Sequence, residues 1–190
     1  IMLTLLTQSI SNASFGIFFP KFTGTVYELL AAPLSPFEII LGFVGAAASK
    51  SLIIGCVIIA TAGLFVDLSI VNLWAIVFFA ISGSLLLSLL GIITGIWSEK
   101  FDHLGTITNF IIVPLSFLSG TFYSVDRMPG FARVLIDYNP FYYIIDGFRY
   151  GFIGVSDSSV IFGVYFITIL NILLWVLNFY LLKKGWRLKT

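Results

Sequence analysis

The chain has 190 residues, of which 59% are hydrophobic and 10% are charged, and its formal net charge is +1. Soluble domains carry about 25% charged residues, so this composition excludes an ordinary soluble domain and indicates an integral membrane protein. The net charge identifies no partner, and we expect no binding to nucleic acid. The single cysteine, Cys56, lies in an apolar run and predicts neither a disulfide framework nor a zinc site.

The first apolar segment, residues 1–20, carries no charge and is about long enough to span a bilayer. Polar residues recur along it at helical spacing and so share one face: Thr4, Thr7, Gln8, Ser11 and Asn12. An unpaired amide in hydrocarbon is costly, so this polar stripe is predicted to face protein or water. Two interpretations stay open, a helix–helix interface held by small polar groups or a wall of a translocation path.

Residues 21–38 form the first polar interruption. Two capping-box patterns occur in it: Thr25 with Glu28, and Ser35 with Glu38. Pro36 at the first helical position strengthens the second pattern. We therefore expect a short crosswise helix from residue 26 to about residue 32, ended by Pro33, and a new helix that enters the membrane from Ser35. The short helix is a poor membrane anchor, which leaves a rigid turn or a docking element for another protein.

The second predicted span covers residues 39–66. A face of small residues should permit close packing of this helix: Gly42, Gly45, Ala46 and Ser49. Lys50 lies within the span, and an intramembrane charge is a functional candidate. We expect it to lie nearer the polar end and to extend its ammonium towards the interface.

The third and fourth predicted spans cover residues 73–97 and 105–123. Gly91 and Gly95 in the third span match the small-xxx-small pattern of tightly packed helices. In the fourth span, Pro114 predicts a kink.

Residues 129–153 are predicted to form two short aromatic helices joined near Asn139 and Pro140, a cap residue followed by proline. Each is too short to cross the hydrocarbon core, so we predict a re-entrant hairpin at one interface. Asp146 and Arg149 lie one turn apart and are predicted to pair.

The last predicted span covers residues 158–182, with Asp157 as its cap. Four basic residues follow it: Lys183, Lys184, Arg187 and Lys189. By the positive-inside rule the carboxyl terminus is cytoplasmic, and alternation of the spans then places residues 21–38 inside and the hairpin outside. The alternation places residue 1 outside, which requires a further span before it, so we expect a fragment that lacks the first span.

Catalytic constellations are missing from the sequence. It contains no phosphate-binding Gly-rich loop ending in Gly-Lys-Ser/Thr. It also has no Ser–His–Asp set with a plausible base, because His103 is its only histidine. The apolar segments carry almost no ionisable residue, whereas ion-coupled transporters depend on such residues. We therefore expect no enzyme activity and an energy source outside this chain.

Two motifs resemble the membrane subunit of ABC type-2 exporters, the permease family that includes polysaccharide, lipo-oligosaccharide and drug exporters. YELLAAPLSPFEIILG at residues 27–42 looks like the family's coupling helix and the start of its third span. PLSFLSGTFY at residues 114–123, followed by Met-Pro at 128–129, Asn-Pro at 139–140 and DGFR at 146–149, is similar to its fifth span and outward-facing re-entrant helices. The resemblance covers nearly the whole chain, but the family's amino-terminal helix and first span are missing.

The resemblance implies an all-α polytopic membrane protein with the ABC type-2 exporter fold, here with five spans and the outward-facing hairpin. It implies a homodimer in the inner (plasma) membrane, surrounded by lipid and docked to a separate ABC ATPase subunit. ATP and magnesium would bind to that partner, and this chain would hold no cofactor. The expected substrate is amphipathic, such as a lipid-linked saccharide or a hydrophobic drug.

The resemblance also assigns roles to three groups of residues. The ATPase-coupling group is Tyr27, Glu28, Leu29, Leu30, Pro33, Ser35, Pro36 and Glu38. The group at the substrate path and dimer interface is Thr4, Gln8, Ser11, Asn12, Asn109, Ser116 and Gly120. The outer-gate group is Asn139, Pro140, Tyr142, Asp146 and Arg149.

Two other functions stay open. A secondary transporter or channel would work without ATP, and the scarcity of intramembrane ionisable residues argues against it. A membrane scaffold would use the polar stripe only as an interface.

Overall fold

The computed structural model describes residues 1–119 and 136–187, and these residues form helices without any strand. The helices are α1 (Met2–Thr23), α2 (Val26–Ala31), α3 (Pro36–Gly63), α4 (Leu73–Trp97), α5 (Phe101–Ile107), a π-helix (Thr108–Ile112), α6 (Val113–Phe117), α7 (Pro140–Ile153) and α8 (Val160–Lys184). The predicted all-α class is confirmed.

Within the described residues, α3, α4 and α8 are the helices long and apolar enough to cross a membrane. The segment predicted as the first span forms the 22-residue α1, whose polar stripe makes it less apolar than those three. The fourth predicted span is divided into α5, the π-helix and α6. Five spans and a re-entrant hairpin therefore stay a prediction, and residues 120–135, which include most of the first arm of the hairpin, lie outside the described part.

Helix α4 is the centre of the packing. In the most apolar window of each spanning helix, 67% of the α4 residues are buried, against 28% in α3 and 11% in α8. A helix that is apolar on all sides belongs in such a central position. Helices α1, α3, α7 and α8 all contact it.

Close approach of α1 to α4 depends on glycine. A methyl group on Gly91 would lie 2.6 Å from the carbonyl oxygen of Ile10, and one on Gly95 would lie 2.5 Å from that of Ser14. Both distances are shorter than any carbon–oxygen contact in a packed interior, so only glycine fits. The predicted packing role of the Gly91–Gly95 pattern is confirmed.

The small-residue face of α3 behaves differently. A methyl group on Gly42 or Gly45 would meet no atom within 4 Å, and Ala46 and Ser49 are exposed. The expected close packing of this face is wrong for the described residues, because α3 turns its other side, with Val44, Ala47 and Ser51, towards α1 and α4.

One of the two predicted capping boxes forms. The Glu38 amide donates to Ser35 Oγ at 3.3 Å, and Glu38 Oε2 accepts from the Ser35 amide at 2.7 Å. Thr25 makes no side-chain cap bond, so the first prediction is wrong. Its backbone is already helical (φ −68°, ψ −8°), whereas an N-cap side chain needs an extended backbone to reach the third helical amide.

The region around Pro114 departs from a regular α-helix, as predicted from the proline. Just before it the backbone widens into the π-helix, in which the Val113 amide donates to the Thr108 carbonyl five residues earlier. Pro114 has no N–H and cannot continue the α-helical pattern at this point.

The last helix begins two residues later than predicted. Its cap is Ser159, whose side chain accepts from the Phe162 amide, and Asp157 is instead bound to Arg149. Two asparagines hold α8 to α4: Asn171 donates to the Ser82 carbonyl at 3.1 Å and Asn178 to that of Leu89 at 3.1 Å.

Candidate functional site

The segment predicted to couple to an ATPase lies where α1 passes into α3. Leu29 and Leu30 are half-buried against the cluster that contains Ile17, Val26 and Ile40, so they attach α2 to the body of the protein. The side of α2 away from this cluster carries Tyr27, which is 52% exposed, and Glu28.

The link from α2 to α3 is short and polar. Pro33, Ser35 and Glu38 are exposed, Pro36 is half-buried as the first residue of α3, and the Ser35–Glu38 capping box fixes the start of that helix. The capping box satisfies two backbone N–H groups that would otherwise lack partners at the start of α3.

Cationic side chains from other elements meet at the same end of the molecule. Lys21 Nζ donates to the carbonyl oxygens of Ile96 at 2.7 Å and Ser98 at 3.0 Å, and Arg187 donates to that of Trp97 at 3.3 Å. Positive charge at a helix carboxyl terminus is favourable, because the last carbonyl groups lack partners within the helix. The role of Lys21 was missed, since the carbonyl groups that it binds lie 75 and 77 residues later in the chain.

Three residues of the predicted substrate path line one cavity. Ser11 and Asn12 on α1 face Thr108 and Asn109 of the π-helix across a cavity of about 470 Å³. The polar stripe of α1 thus meets the widened part of the fourth predicted span.

The other residues predicted for this path do not line that cavity. Thr4 and Gln8 are half-buried further along α1, and Ser116 is buried, with its hydroxyl donating to the Ile112 carbonyl at 2.8 Å. Gly120 lies outside the described residues.

Lys50 does not extend to a polar end of α3, and that expectation is wrong. It lies at the middle of the 28-residue helix, and its ammonium donates to Asn12 Oδ1 at 2.7 Å. Each residue was noted separately in the sequence, but their spacing of 38 residues carries no sign of the contact.

The predicted outer-gate residues come together at the opposite end, on α7. Asn139 caps this helix by accepting from the Phe141 amide at 3.0 Å, and Pro140 follows at the first helical position, as predicted. The Asn139 amide also donates to the Leu115 carbonyl and to Ser119 Oγ, both at 2.9 Å, which ties α7 to the end of α6.

Asn139 and Pro140 also line a cavity of about 410 Å³ between α1, α4, α7 and the segment from α5 to α6, with mostly apolar walls that include Ile10 and Leu90. Tyr142 is 5% exposed. Burial, and then the nearby charge of Asp146, raises the pKa of Tyr142 to about 12, so its hydroxyl stays protonated.

Asp146 and Arg149 form the predicted ion pair, with Nη2 2.7 Å from Oδ1. Arg149 also binds Asp157 at 2.6 Å. The Asp146 carboxylate, only 2% exposed, accepts further hydrogen bonds from two hydroxyls and two amides of the loop before α8: Ser156 Oγ, Ser158 Oγ, Asp157 N and Ser158 N.

These bonds decide the charge of Asp146. Burial acts to raise its pKa, but the hydrogen bonds from Ser158, Asp157 and Ser156, together with the charge of Arg149, outweigh burial and hold the pKa below its usual value. Sequence reasoning missed the loop partners. The run of serine and aspartate at 156–159 signalled a cap but not which carboxylate the loop would surround.

No group of three or more His, Cys, Asp or Glu side chains in residues 1–119 and 136–187 is placed to hold a metal ion. The described polar sites are an exposed docking-sized helix at one end, a mid-helix Lys50–Asn12 contact and a hydrogen-bonded carboxylate at the other end.

Comparison with known proteins identifies the family. Residues 1–153 match the ABC-2 type transporter family. The chain belongs to the ABC-2 type transporter family. It is also 31% identical over 192 aligned positions to the inner membrane transport permease YadH of Escherichia coli strain K12, covering 100% of this chain and 74% of that protein. The YadH permeases of Escherichia coli O157:H7 and Shigella flexneri match to the same extent.

No solved structure matches the chain. As an ABC-2 family member the chain is a multi-pass membrane transport permease, a transport subunit rather than an enzyme.

Proposed function

We propose that this ABC-2 permease is the membrane subunit of an ATP-driven exporter in the inner membrane. Two copies form the substrate path, and a separate ATPase subunit binds ATP and magnesium and drives transport. The substrate is amphipathic, in the class of lipid-linked saccharides and hydrophobic drugs. The name of the YadH relatives, inner membrane transport permease, supports the location.

The observation that carries the proposal is the construction of α2. Its leucines pack on the α1–α3 cluster, its outer side offers Tyr27 and Glu28, and the Ser35–Glu38 capping box fixes the start of α3 just after it. A helix of six residues is too short to be stable alone, so its position depends on these contacts. A push on its outer side is therefore passed to α1 and α3.

The charges support an ATPase at this end. Lys183 and Lys184 end α8, and Arg187 contacts Trp97 close to Lys21. Basic residues that flank spans favour the cytoplasmic side, where ATP is available. By the same reasoning α7 lies on the outer side, where Asn139, Pro140, Tyr142, Asp146 and Arg149 would form the exit gate.

The cavity between Ser11, Asn12, Thr108 and Asn109 supports the location of the path. A polar cavity beside apolar helices suits a substrate that has both polar and apolar parts, and the same surfaces would meet the second copy.

Glu28→Lys tests the coupling role, with Asp67→Lys as the matched control. Both residues are exposed, and Asp67 lies in the turn at the opposite end of α3. After purification of the full-length protein in mild detergent, we expect wild type and Asp67→Lys to carry an ATPase. The amount of ATPase recovered with Glu28→Lys should be at least about tenfold lower, a change of about 1.4 kcal/mol in binding free energy.

Folding is checked in each variant by its elution volume and melting temperature. Absence of an ATPase from the wild type would overturn the proposal, and flux along an ion gradient without nucleotide in proteoliposomes would then favour a secondary transporter. Equal ATPase recovery with Glu28→Lys and Asp67→Lys would overturn the assignment of α2.

A further inference from the structure

Lys50 is a cation at mid-depth in the membrane. Its helix α3 has 28 residues and an apolar composition suited to a membrane span. In a span centred in the bilayer, the Cα atom of a mid-helix residue is roughly 15 Å from either edge of the hydrocarbon core, farther than a lysine side chain can reach. A charge at this depth is retained where it binds something, because hydrocarbon alone does not solvate it.

The partner found for Lys50 is incomplete. Asn12, at the middle of α1, accepts one bond from the ammonium through Oδ1. An ammonium has three donors and no acceptor, and within residues 1–119 and 136–187 no carboxylate lies within 4.0 Å of this one. The ammonium therefore keeps donors and an uncompensated charge.

Asn12 adds a second donor to the same place. Its Nδ2 atom is buried and bonds to no atom of the described residues. The orientation of the amide is fixed, since only its oxygen can accept from a lysine. From the bond lengths of an amide, Oδ1 and Nδ2 are roughly 2.2 Å apart, so the two free donors lie within about 5 Å of each other.

Space is available on both sides of this pair. Asn12 lines the cavity of about 470 Å³ that it shares with Asn109. On the same helix as Lys50, Gly45 and Gly42 precede it by five and eight residues and have no neighbour within 4 Å of an added methyl group, and Lys50 itself is exposed. An open strip that runs along α3 from a charged donor pair accommodates a molecule with an alkyl part and an anionic head.

We propose that Lys50 and Asn12 bind the anionic group, a phosphate or carboxylate, of the amphipathic molecule that this permease transports. Lys50 supplies the charge, and Asn12 holds the ammonium in place through Oδ1 while Nδ2 donates to the same anion. The inference rests on the proposed transport function and adds the charge of the substrate to it.

Dodecyl phosphate is the probe, with dodecyl maltoside and dodecyltrimethylammonium as neutral and cationic probes of equal chain length. Binding is measured on the full-length protein in nanodiscs of phosphatidylcholine, which carries no net charge. We expect dodecyl phosphate to bind wild type at least tenfold more tightly than Lys50→Met, which lacks the positive charge. The same loss is expected for Asn12→Asp, because the aspartate would form an ion pair with the ammonium. Lys50→Arg should retain binding, and the other probes should not distinguish the variants.

Lys183→Met is the matched control for loss of one positive charge, since Lys183 is exposed at the end of α8, and it should bind the probe as wild type does. Equal binding by wild type and Lys50→Met would overturn the proposal. So would a Lys50→Met protein that keeps probe binding but no longer forms a dimer, because Lys50 would then pair with the second copy.

A second arm separates cargo from a resident lipid headgroup. In the complex with its ATPase, ATP should lower the amount of bound dodecyl phosphate if the site holds cargo, and unchanged occupancy would overturn that assignment. The nanodisc measurement needs no ATPase. Failure to recover an ATPase would therefore contradict the proposed function but would not test whether this site binds an anion.

Discussion

Asp146 on α7 and Lys50 on α3 are both charged side chains among apolar helices, but their surroundings differ. The Asp146 carboxylate accepts from Arg149 and from the amides and hydroxyls of residues 156–158. Lys50 has one bond, to a side chain whose own amide nitrogen has no partner among the described residues. A fully bonded charge fixes a structure, whereas a partly bonded one leaves capacity for a ligand.

Packing beside the two charges shows the same contrast. Gly147, next to Asp146, lies against the ring of Phe79, so that a methyl group there would overlap the ring. Gly45, on the exposed face of α3, has no neighbour within 4 Å of an added methyl group. The packing around Gly147 is tight and the α3 face is open, which suits a gate element in one place and a binding surface in the other.

The largest effect is expected from Asp146→Ala, which tests whether the packing of α7 against the loop before α8 depends on this carboxylate. The change removes the acceptor for four donors of the loop before α8 and leaves Arg149 with Asp157 alone. Loss of one partner from a buried pair costs about 3–5 kcal/mol, and in a protein of this size the melting temperature should fall by roughly 10 °C. Asp67→Ala, at an exposed position, is the control and should melt with the wild type.

Charge reversal sharpens this test. If Asp146 and Arg149 formed an isolated pair, Asp146→Arg combined with Arg149→Asp would restore stability. Because the amides of Asp157 and Ser158 also need an acceptor at position 146, we expect the double variant to stay as unstable as the single one. Recovery of the wild-type melting temperature would show that the loop contacts contribute little.

The next largest effect is expected from replacing Gly147 with alanine, compared with the same change at Gly45. Gly147→Ala should cost about 1–3 kcal/mol, because a methyl group must displace the Phe79 ring from a filled site. Gly45→Ala should be neutral or should stabilise α3 by about 0.5–1 kcal/mol, since alanine favours a helix and the site is open. Thermal melts of the two variants under one condition measure the difference. Equal destabilisation would mean that the α3 face is packed in the assembled protein.

The helices were predictable where a local signal decided them. The apolar run 73–97 gave the bounds of α4, and Ser35 and Asn139, each followed by proline, marked the starts of α3 and α7. The caps at Thr25 and Asp157 were predicted wrongly because the backbone angle of the first and the ion pair of the second depend on tertiary structure.

The candidate site was predictable in part. Helical spacing showed that Asn12 belonged to a polar stripe, and proximity along one helix showed that Asp146 and Arg149 could pair. It could not show that Asn12 meets Lys50, because that contact depends on how α1 and α3 pack. For the same reason the small face of α3 indicated a packing surface that the fold leaves open.

The smallest effect is expected from a change of pH, which tests whether hydrogen bonding or burial determines the pKa of Asp146. A carboxyl group with a lowered pKa stabilises the fold fully above its unfolded value of 3.8, and this stabilisation is lost as the pH falls through the lower folded value. The melting-temperature difference between wild type and Asp146→Ala should therefore stay constant from about pH 8 to about pH 5 and shrink only below about pH 4. If burial controlled the group instead, its pKa would be raised and the difference would already change above pH 5. A constant difference would mean that the hydrogen bonds from residues 156–158 outweigh burial, and that the proposed outer gate keeps its charge when its surroundings become acidic.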